Sequence, residues 1–416
     1  MINSDDFLPA AYADGSIANI PATIATLLDT PFEGLPPLRP PAWQPLNGDV
    51  QRVVLVLVDA LGWDLLQGAR SRAGWLWQQA LVQERLTSVF PSTTVAALSS
   101  VWTGVAPARH GLVGLRLLFP EYAVLGQMLS MGPNFISAPD ALVRAGTEPA
   151  DFLEVAGFAE QLAWAGVPTY AYKSYSFVDS ALSQMHGRGV RESVGIVTAA
   201  DMFLRVRQRL EETAGERLYI SAYWHAVDTL THMYGPDHPA VAAEVSAVLQ
   251  LLQEELVSAL SPAARANTVL FLTADHGQVN TPEEQEIYLD DHPALQEMLL
   301  MRPAGEPRTP YLYARQGRQA GVVAYIQEHL GQAMVAMAAE EALAAGLLGP
   351  EPHAPQTALR VGDVVATMRE GHVLLTPEER AHQRAQQRDK GRRMVARHGG
   401  MTPGEMAVPW FGLRLG

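Results

Sequence analysis

Three aspartates, three histidines and a threonine pair recur along this chain in short motifs whose residue types could do chemistry together. They are VLVDALG around Asp59, FPSTTVAALSSVWTG with Thr93 and Thr94, HAVDTLTHMYGP with Asp228 and His232, TADHG with Asp275 and His276, and ARHGG with His398. Carboxylate oxygens and imidazole nitrogens in that number suffice for two adjacent divalent metal ions. A threonine hydroxyl is a poor nucleophile unless a metal or a base lies beside it. No histidine is near the threonines in sequence, so metal activation is the consistent choice. The set points to covalent phosphoryl transfer at a two-metal centre.

Each motif alone is weak. An aspartate after a strand commonly caps the next turn, and an Asp–His pair four residues apart commonly lies on a solvated helix face. Asp275-His276-Gly277 is stronger, because charged neighbours at a buried strand end are unfavourable unless paired or metal-bound. His398 alone says nothing. A shared metal centre explains all of them at once. Ser92 or Thr93 suits the N-cap of a helix through VAALSSVW, where backbone N–H groups and the helix dipole favour negative charge.

The elements that must position these residues can be read from the apolar runs. VVLVLVDA (53–60) is β-branched and continuous, as a buried parallel strand is. VPTYAY (167–172), LYISAYW (218–224) and TVLFLTADHG (268–277) read the same way. Helical patterns lie between them, at DFLEVAGFAEQLAWAG (151–166) and AAEVSAVLQLLQEELVSAL (242–260). Alternating strands and helices imply a mostly parallel sheet with helices on both faces, whose ligands gather at the carboxyl ends of the strands. Asp59, Asp228, Asp275 and His276 fall at or just after such ends. VGDVVATMREGHVLL (361–375) reads as a further strand pair with a turn at Glu370-Gly371.

Composition sets the limits. A chain of 416 residues, about half of them apolar, can bury a large core. The expectation is one α/β domain, 1–416, with residues from about 279 to 395 mixing core strands and a lid-like insertion. There are no cysteines, so thiolate ligands and disulfides are excluded. A net charge of −14 argues against binding nucleic-acid polymers. The sequence holds no long apolar run of membrane-spanning length, and MINSDDFLPAAYADG lacks the pattern of a secretory signal, so a cytoplasmic location away from membranes is expected.

In the order Asp, Thr, D-x-x-x-H, D-H-G, H-G-G, residues of roughly 50–400 resemble the alkaline phosphatase superfamily, most closely its type I phosphodiesterase/nucleotide pyrophosphatase branch. The resemblance implies a three-layer alkaline-phosphatase-like sandwich. It implies one metal on Asp228, His232 and His398, and a second on Asp59, Asp275, His276 and the Thr94 hydroxyl. It favours zinc, with manganese also tolerated by the ligand set. It makes Thr94 the nucleophile, counted back from Thr103-Gly104, with Thr93 as its competitor, and a small phosphate ester or nucleotide the substrate. The implied reaction is an in-line displacement through a phosphothreonine-type intermediate. Members of this branch usually carry an Asn after H-G-x-x-G, whereas HGLVGLR (110–116) has Leu115 there, followed by Arg116. Arg116 is therefore a candidate phosphate ligand or a surface arginine. Lys173, with His186 and Arg188 in the same stretch, is a candidate for lining a substrate pocket. The alternatives are a phosphomonoesterase or phosphosugar mutase on the same metal core, and an inactive metal-binding module.

Overall fold

The computed structural model describes residues 6–388 and 393–416. Residues 389–392, inside the segment expected to hold a lid, lie outside the described residues.

The chain builds a large sheet from β1 (Arg52–Val58), β2 (Val82–Thr87), β3 (Thr169–Ser174), β4 (Val190–Ile196), β5 (Leu218–Trp224), β6 (Thr268–Thr273) and β7 (Ala407–Arg414). Their order across the sheet is β2-β7-β6-β1-β5-β3-β4. β1 runs parallel to β5 and β6, with Val53 opposite both Tyr219 and Val269. β3 runs parallel to β5 and β4. Only β7 is reversed, antiparallel to β2 and β6. Every residue of β1 is buried, which is why its apolar run does not alternate.

Helices pack around this sheet, so the fold is α/β with a mostly parallel centre. Four matter most below: α1 (Thr94–Thr103), α2 (Ala199–Glu212), α3 (Ala226–Tyr234) and α4 (Pro239–Leu251). α2 shows why such a segment is helical and where it begins. The Thr198 side chain caps it by accepting from Asp201 N, and Met202, Val206 and Leu210 recur every four residues on its buried face. α4 continues into a π-helical turn, Leu252–Val257. The helix expected over 151–166 is confined to Phe158–Trp164. It starts there because Gly157 is extended and its N–H is taken by the Glu160 carboxylate at 2.7 Å, an N-terminal cap placed seven residues late.

A second, wholly antiparallel sheet gathers seven short strands from two distant stretches of the chain. Arg116–Phe119, Val124–Gln127 and Gly132–Pro133 join Ala304–Glu306, Thr309–Leu312, Met334–Ala338 and Val364–Met368. The period of two is visible in its packing. Val365 and Tyr311 enter one apolar cluster with Phe119, while Val364, Ala366, Met368 and Leu312 enter another with Leu330. The two strands read within 361–375 both form, but not as a pair. Val364–Met368 is hydrogen-bonded on both edges, to Thr309–Leu312 and Met334–Ala338, so Val373–Leu375 pairs instead with Glu286–Tyr288.

Candidate metal centre and nucleophile

Three carboxylates and three imidazoles meet at the carboxyl edge of the large sheet. Asp59 directly follows β1, Asp275 and His276 lie just beyond β6, and Asp228 and His232 stand one turn apart on α3, after β5. His398 arrives from far along the chain and stacks on His276, with ring centroids 3.8 Å apart. His232 Nε2 is 3.3 Å and His398 Nε2 3.8 Å from Asp228 Oδ1. His276 Nε2 is 3.6 Å from Asp59 Oδ1 and 3.4 Å from Asp275 Oδ2. Ligand atoms of Asp228, His232 and His398 lie within 4.8 Å of one another, as do those of Asp59, Asp228 and His276. The Asp228 carboxylate therefore stands between two groupings.

All three histidines are fixed in one tautomer by the backbone. Nδ1 of His232 faces Ala396 O at 2.8 Å, Nδ1 of His276 faces Gly277 O at 3.1 Å, and Nδ1 of His398 faces Ser92 O at 3.1 Å. A carbonyl only accepts, so each Nδ1 carries a proton and each Nε2 is turned toward the carboxylates. Burial, then His276 and His232 beside it, holds the His398 pKa well below the ordinary histidine range.

The carboxylates carry the complementary signal. Asp59 and Asp275 are buried, and Asp59 Oδ1 and Asp275 Oδ2 have no hydrogen-bond partner among the described residues. Burial, then Asp275 and Asp228, pushes the Asp59 pKa well above the usual carboxylate range. Burial is also the first cause raising that of Asp275. Unpaired anionic oxygens so close together are unfavourable without a cation between them. A donor set of imidazole nitrogens and orphaned carboxylate oxygens fits two divalent ions.

Local backbone geometry serves the same cluster. Ala60 holds the left-handed conformation at φ 59°, and its N–H and that of His276 donate to Asp275 Oδ1 at 3.1 and 3.0 Å. A non-glycine residue is rare there and costs about 1 kcal/mol or more. Gly277 is needed for close approach, since a Cβ on it would meet Gly404 O at 2.2 Å.

Thr94 is the first residue of α1, and its hydroxyl lies 3.2 Å from His276 Nε2. Its neighbour Thr93 is the N-cap and faces Glu306, whose pKa burial raises to about 7 while the Thr93 hydrogen bond and the Arg116 charge act the other way. Glu306 Oε1 also accepts from Leu115 N at 2.7 Å. Arg116 is buried, not at the surface, and its Nη1 lies 3.2 Å from Glu379 Oε1. Lys173 is buried at the end of β3, donating to Ser183 Oγ at 3.0 Å and lying over the Trp102 ring. Burial lowers its pKa to about 8. His186 is bonded to Ser99 Oγ at 2.9 Å, and Arg188 donates to Leu153 O at 2.9 Å and pairs with Glu160. No contact of Lys173, His186 or Arg188 with the cluster is found among the described residues.

Several contributors carried no sequence signal. The Tyr223 hydroxyl donates to Asp59 Oδ2, and the Gln278 amide donates to Asp228 Oδ1. Tyr223 sits in an apolar run, where a tyrosine reads as core. Gln278 is two residues past His276 and could have been noticed only by position.

The sequence matches the type I phosphodiesterase/nucleotide pyrophosphatase family over residues 53–401, and the chain belongs to that family. Phosphoric-ester hydrolysis is thus its class of reaction. No curated protein matches the sequence. Among solved structures, the fold is similar to murine ectonucleotide pyrophosphatase/phosphodiesterase 5. The TM-score is 0.63 at 17% identity, over 87% of this chain and 88% of that one. The human counterpart gives 0.63 at 18% identity, over 87% and 88%. Phosphonoacetate hydrolase from Sinorhizobium meliloti 1021, in complex with phosphonoformate, gives 0.61 at 18% identity, over 86% and 89%. At these identities the likeness concerns the fold. No helix among the described residues is long and apolar enough to cross a membrane.

Proposed function

We propose that the chain hydrolyses small phosphodiesters or nucleotide pyrophosphates with Thr94 as nucleophile, at a centre holding two divalent ions. The observation that carries this reading is the matched pair of deficits in the cluster. Three histidines are held by backbone carbonyls with Nε2 inward; His276 faces the buried, partnerless oxygens Asp59 Oδ1 and Asp275 Oδ2, and His232 and His398 face Asp228 Oδ1. Asp228, His232 and His398 would hold one ion; Asp59, Asp275, His276 and Thr94 Oγ1 would hold the other. Zinc suits this set, and manganese is tolerated. When bound, such ions supply Lewis-acid activation of a hydroxyl and offset charge on phosphoryl oxygens.

The chain's own residues do the rest. Thr94 Oγ1 forms a bond to phosphorus as the bond to the leaving oxygen breaks and the hydroxyl proton passes to the leaving group. This gives a phosphothreonine-type intermediate that keeps the second ester group; water then cleaves the Oγ–P bond, regenerates the hydroxyl and releases the monoester. The N-terminal N–H groups of α1 face the developing negative charge. Glu306 engages Thr93, which leaves Thr94 as the hydroxyl at the cluster. A related structure is in keeping with this. A threonine-to-alanine form of the murine relative is described as inactive and is in complex with AMP.

A parallel rate comparison on bis-(p-nitrophenyl) phosphate and p-nitrophenyl phosphate, with zinc or manganese added, tests the reading. The expected result is faster turnover of the diester. A preference for the monoester would replace the diesterase reading with a phosphomonoesterase. Inactivity on both with either metal would overturn phosphoric-ester hydrolysis at this centre.

A further inference from the structure

His398 is followed by Gly399 and Gly400, a backbone with little stiffness of its own, so the place of its imidazole depends on what grips that loop. Ser92 supplies one grip. Its carbonyl accepts from His398 Nδ1 at 3.1 Å, and its hydroxyl donates to Gly400 O at 2.7 Å. The second grip is the tip of a hairpin of the second sheet, where Glu306 pairs with Thr309 and Pro307-Arg308 makes the turn. The tip is pressed against the loop. Gly399 holds φ 108°, and a Cβ on it would meet Glu306 Cβ and Cγ, each at 2.9 Å. Thr309 is wholly buried, and its Oγ1 donates to Gly399 O at 2.5 Å.

Arg308 anchors the same tip. Its Nε and Nη2 meet Glu405 Oε1 and Oε2 at 2.6 and 2.8 Å, a two-pronged pair with both side chains fully buried. Glu405 Oε1 also accepts from Gly400 N at 2.8 Å, so the hold passes on to the second glycine. Arg308 Nη1 donates to His372 O, and Thr402 Oγ1 donates to Glu405 Oε2 at 2.6 Å. Separating such a pair would strand a buried charge, so the tip does not lift away readily. We propose that this hairpin tip is a brace for the metal centre, with Thr309 and Arg308 as positioning residues that set where the His398 imidazole stands. The second sheet thereby serves the ion on Asp228, His232 and His398, an assignment that rests on the two-ion reading above.

Competitive zinc titration of the full chain against a chromophoric chelator tests the brace. The parent is expected to take up two ions. Thr309→Val keeps the shape and loses the O–H donor, and it should weaken one ion about tenfold while the other keeps its affinity. Thr309→Ser, which retains the hydroxyl, should restore the parent values. In a His398→Ala background Thr309→Val should add no further loss, because the grip acts through that imidazole. Should Thr309→Val fail to fold, Arg308→Lys decides: it keeps the charge without the fork, and the same one-ion weakening is expected. Two ions held at parent affinity in the folded variant would overturn the brace. So would equal weakening of both ions, no recovery in Thr309→Ser, or a further loss in the His398→Ala background. A parent chain that takes up no zinc would overturn the two-ion reading itself, and the brace with it.

Discussion

At the scale of single residues, the cluster depends on which atoms are satisfied and which are not. Asp59 illustrates this: Oδ2 accepts from Tyr223, whereas Oδ1 is left for something else. Glu306 makes a testable case beside it. Its pKa is raised from 4.5 to about 7, chiefly by burial, so the folded chain favours the protonated acid. The resulting stabilisation is fully present below pH 4.5 and is lost as pH rises through about 7. Glu306→Gln mimics the protonated form at every pH. Thermal melts of the two proteins should therefore show the variant gaining on the parent between pH 5 and pH 8, and a difference that does not change with pH would contradict this environment for Glu306. The charged residues at strand ends were legible in the sequence because ionisable groups are conspicuous beside buried apolar runs. The carbonyls of Ser92, Ala396 and Gly277 that set the histidine tautomers were not, since every residue has a carbonyl and only tertiary packing chooses among them.

At the scale of elements, β1, β5 and β6 deliver the aspartates by ending where they do, and tight packing holds them there. Gly277 is the sharpest point: an added Cβ would meet the Gly404 backbone oxygen at 2.2 Å and crowd Gly62 Cα at 3.2 Å. Backbone cannot swing aside as a side chain does. Gly277→Ala should therefore cost about 1–3 kcal/mol of stability and, by shifting His276, most of the activity. Denaturant unfolding and a rate assay together check it, and a stable, fully active variant would contradict the close approach. The legibility of the elements follows their burial. Strands covered on both faces announced themselves as unbroken apolar runs. β7 carries Pro409 and Gly412 and sits between β6 and β2, where only the long-range pairing makes it a strand. The second sheet was equally hidden, its strands two to five residues long and drawn from 116–133 and 304–368.

At the scale of the whole molecule, the cluster ties distant parts of the chain together. His398 from near the C-terminus stacks on His276 and bonds to Ser92 O just before α1. Ions that bind the folded cluster and not the unfolded chain stabilise by mass action, about 2.7 kcal/mol for each site at a hundredfold excess over Kd. Removing metal with a chelator should silence the enzyme and lower its melting temperature, and added zinc should restore both; a chelated preparation with unchanged activity would contradict a metal-dependent centre.

The central claim is that Thr94 is the nucleophile of a two-metal phosphoryl transfer, and one variant tests it directly. Thr94→Ala, loaded with zinc, should keep its fold and close to two ions per chain while its rate on bis-(p-nitrophenyl) phosphate falls by about a thousandfold or more. An unchanged rate in that metal-loaded variant would show that another group attacks phosphorus.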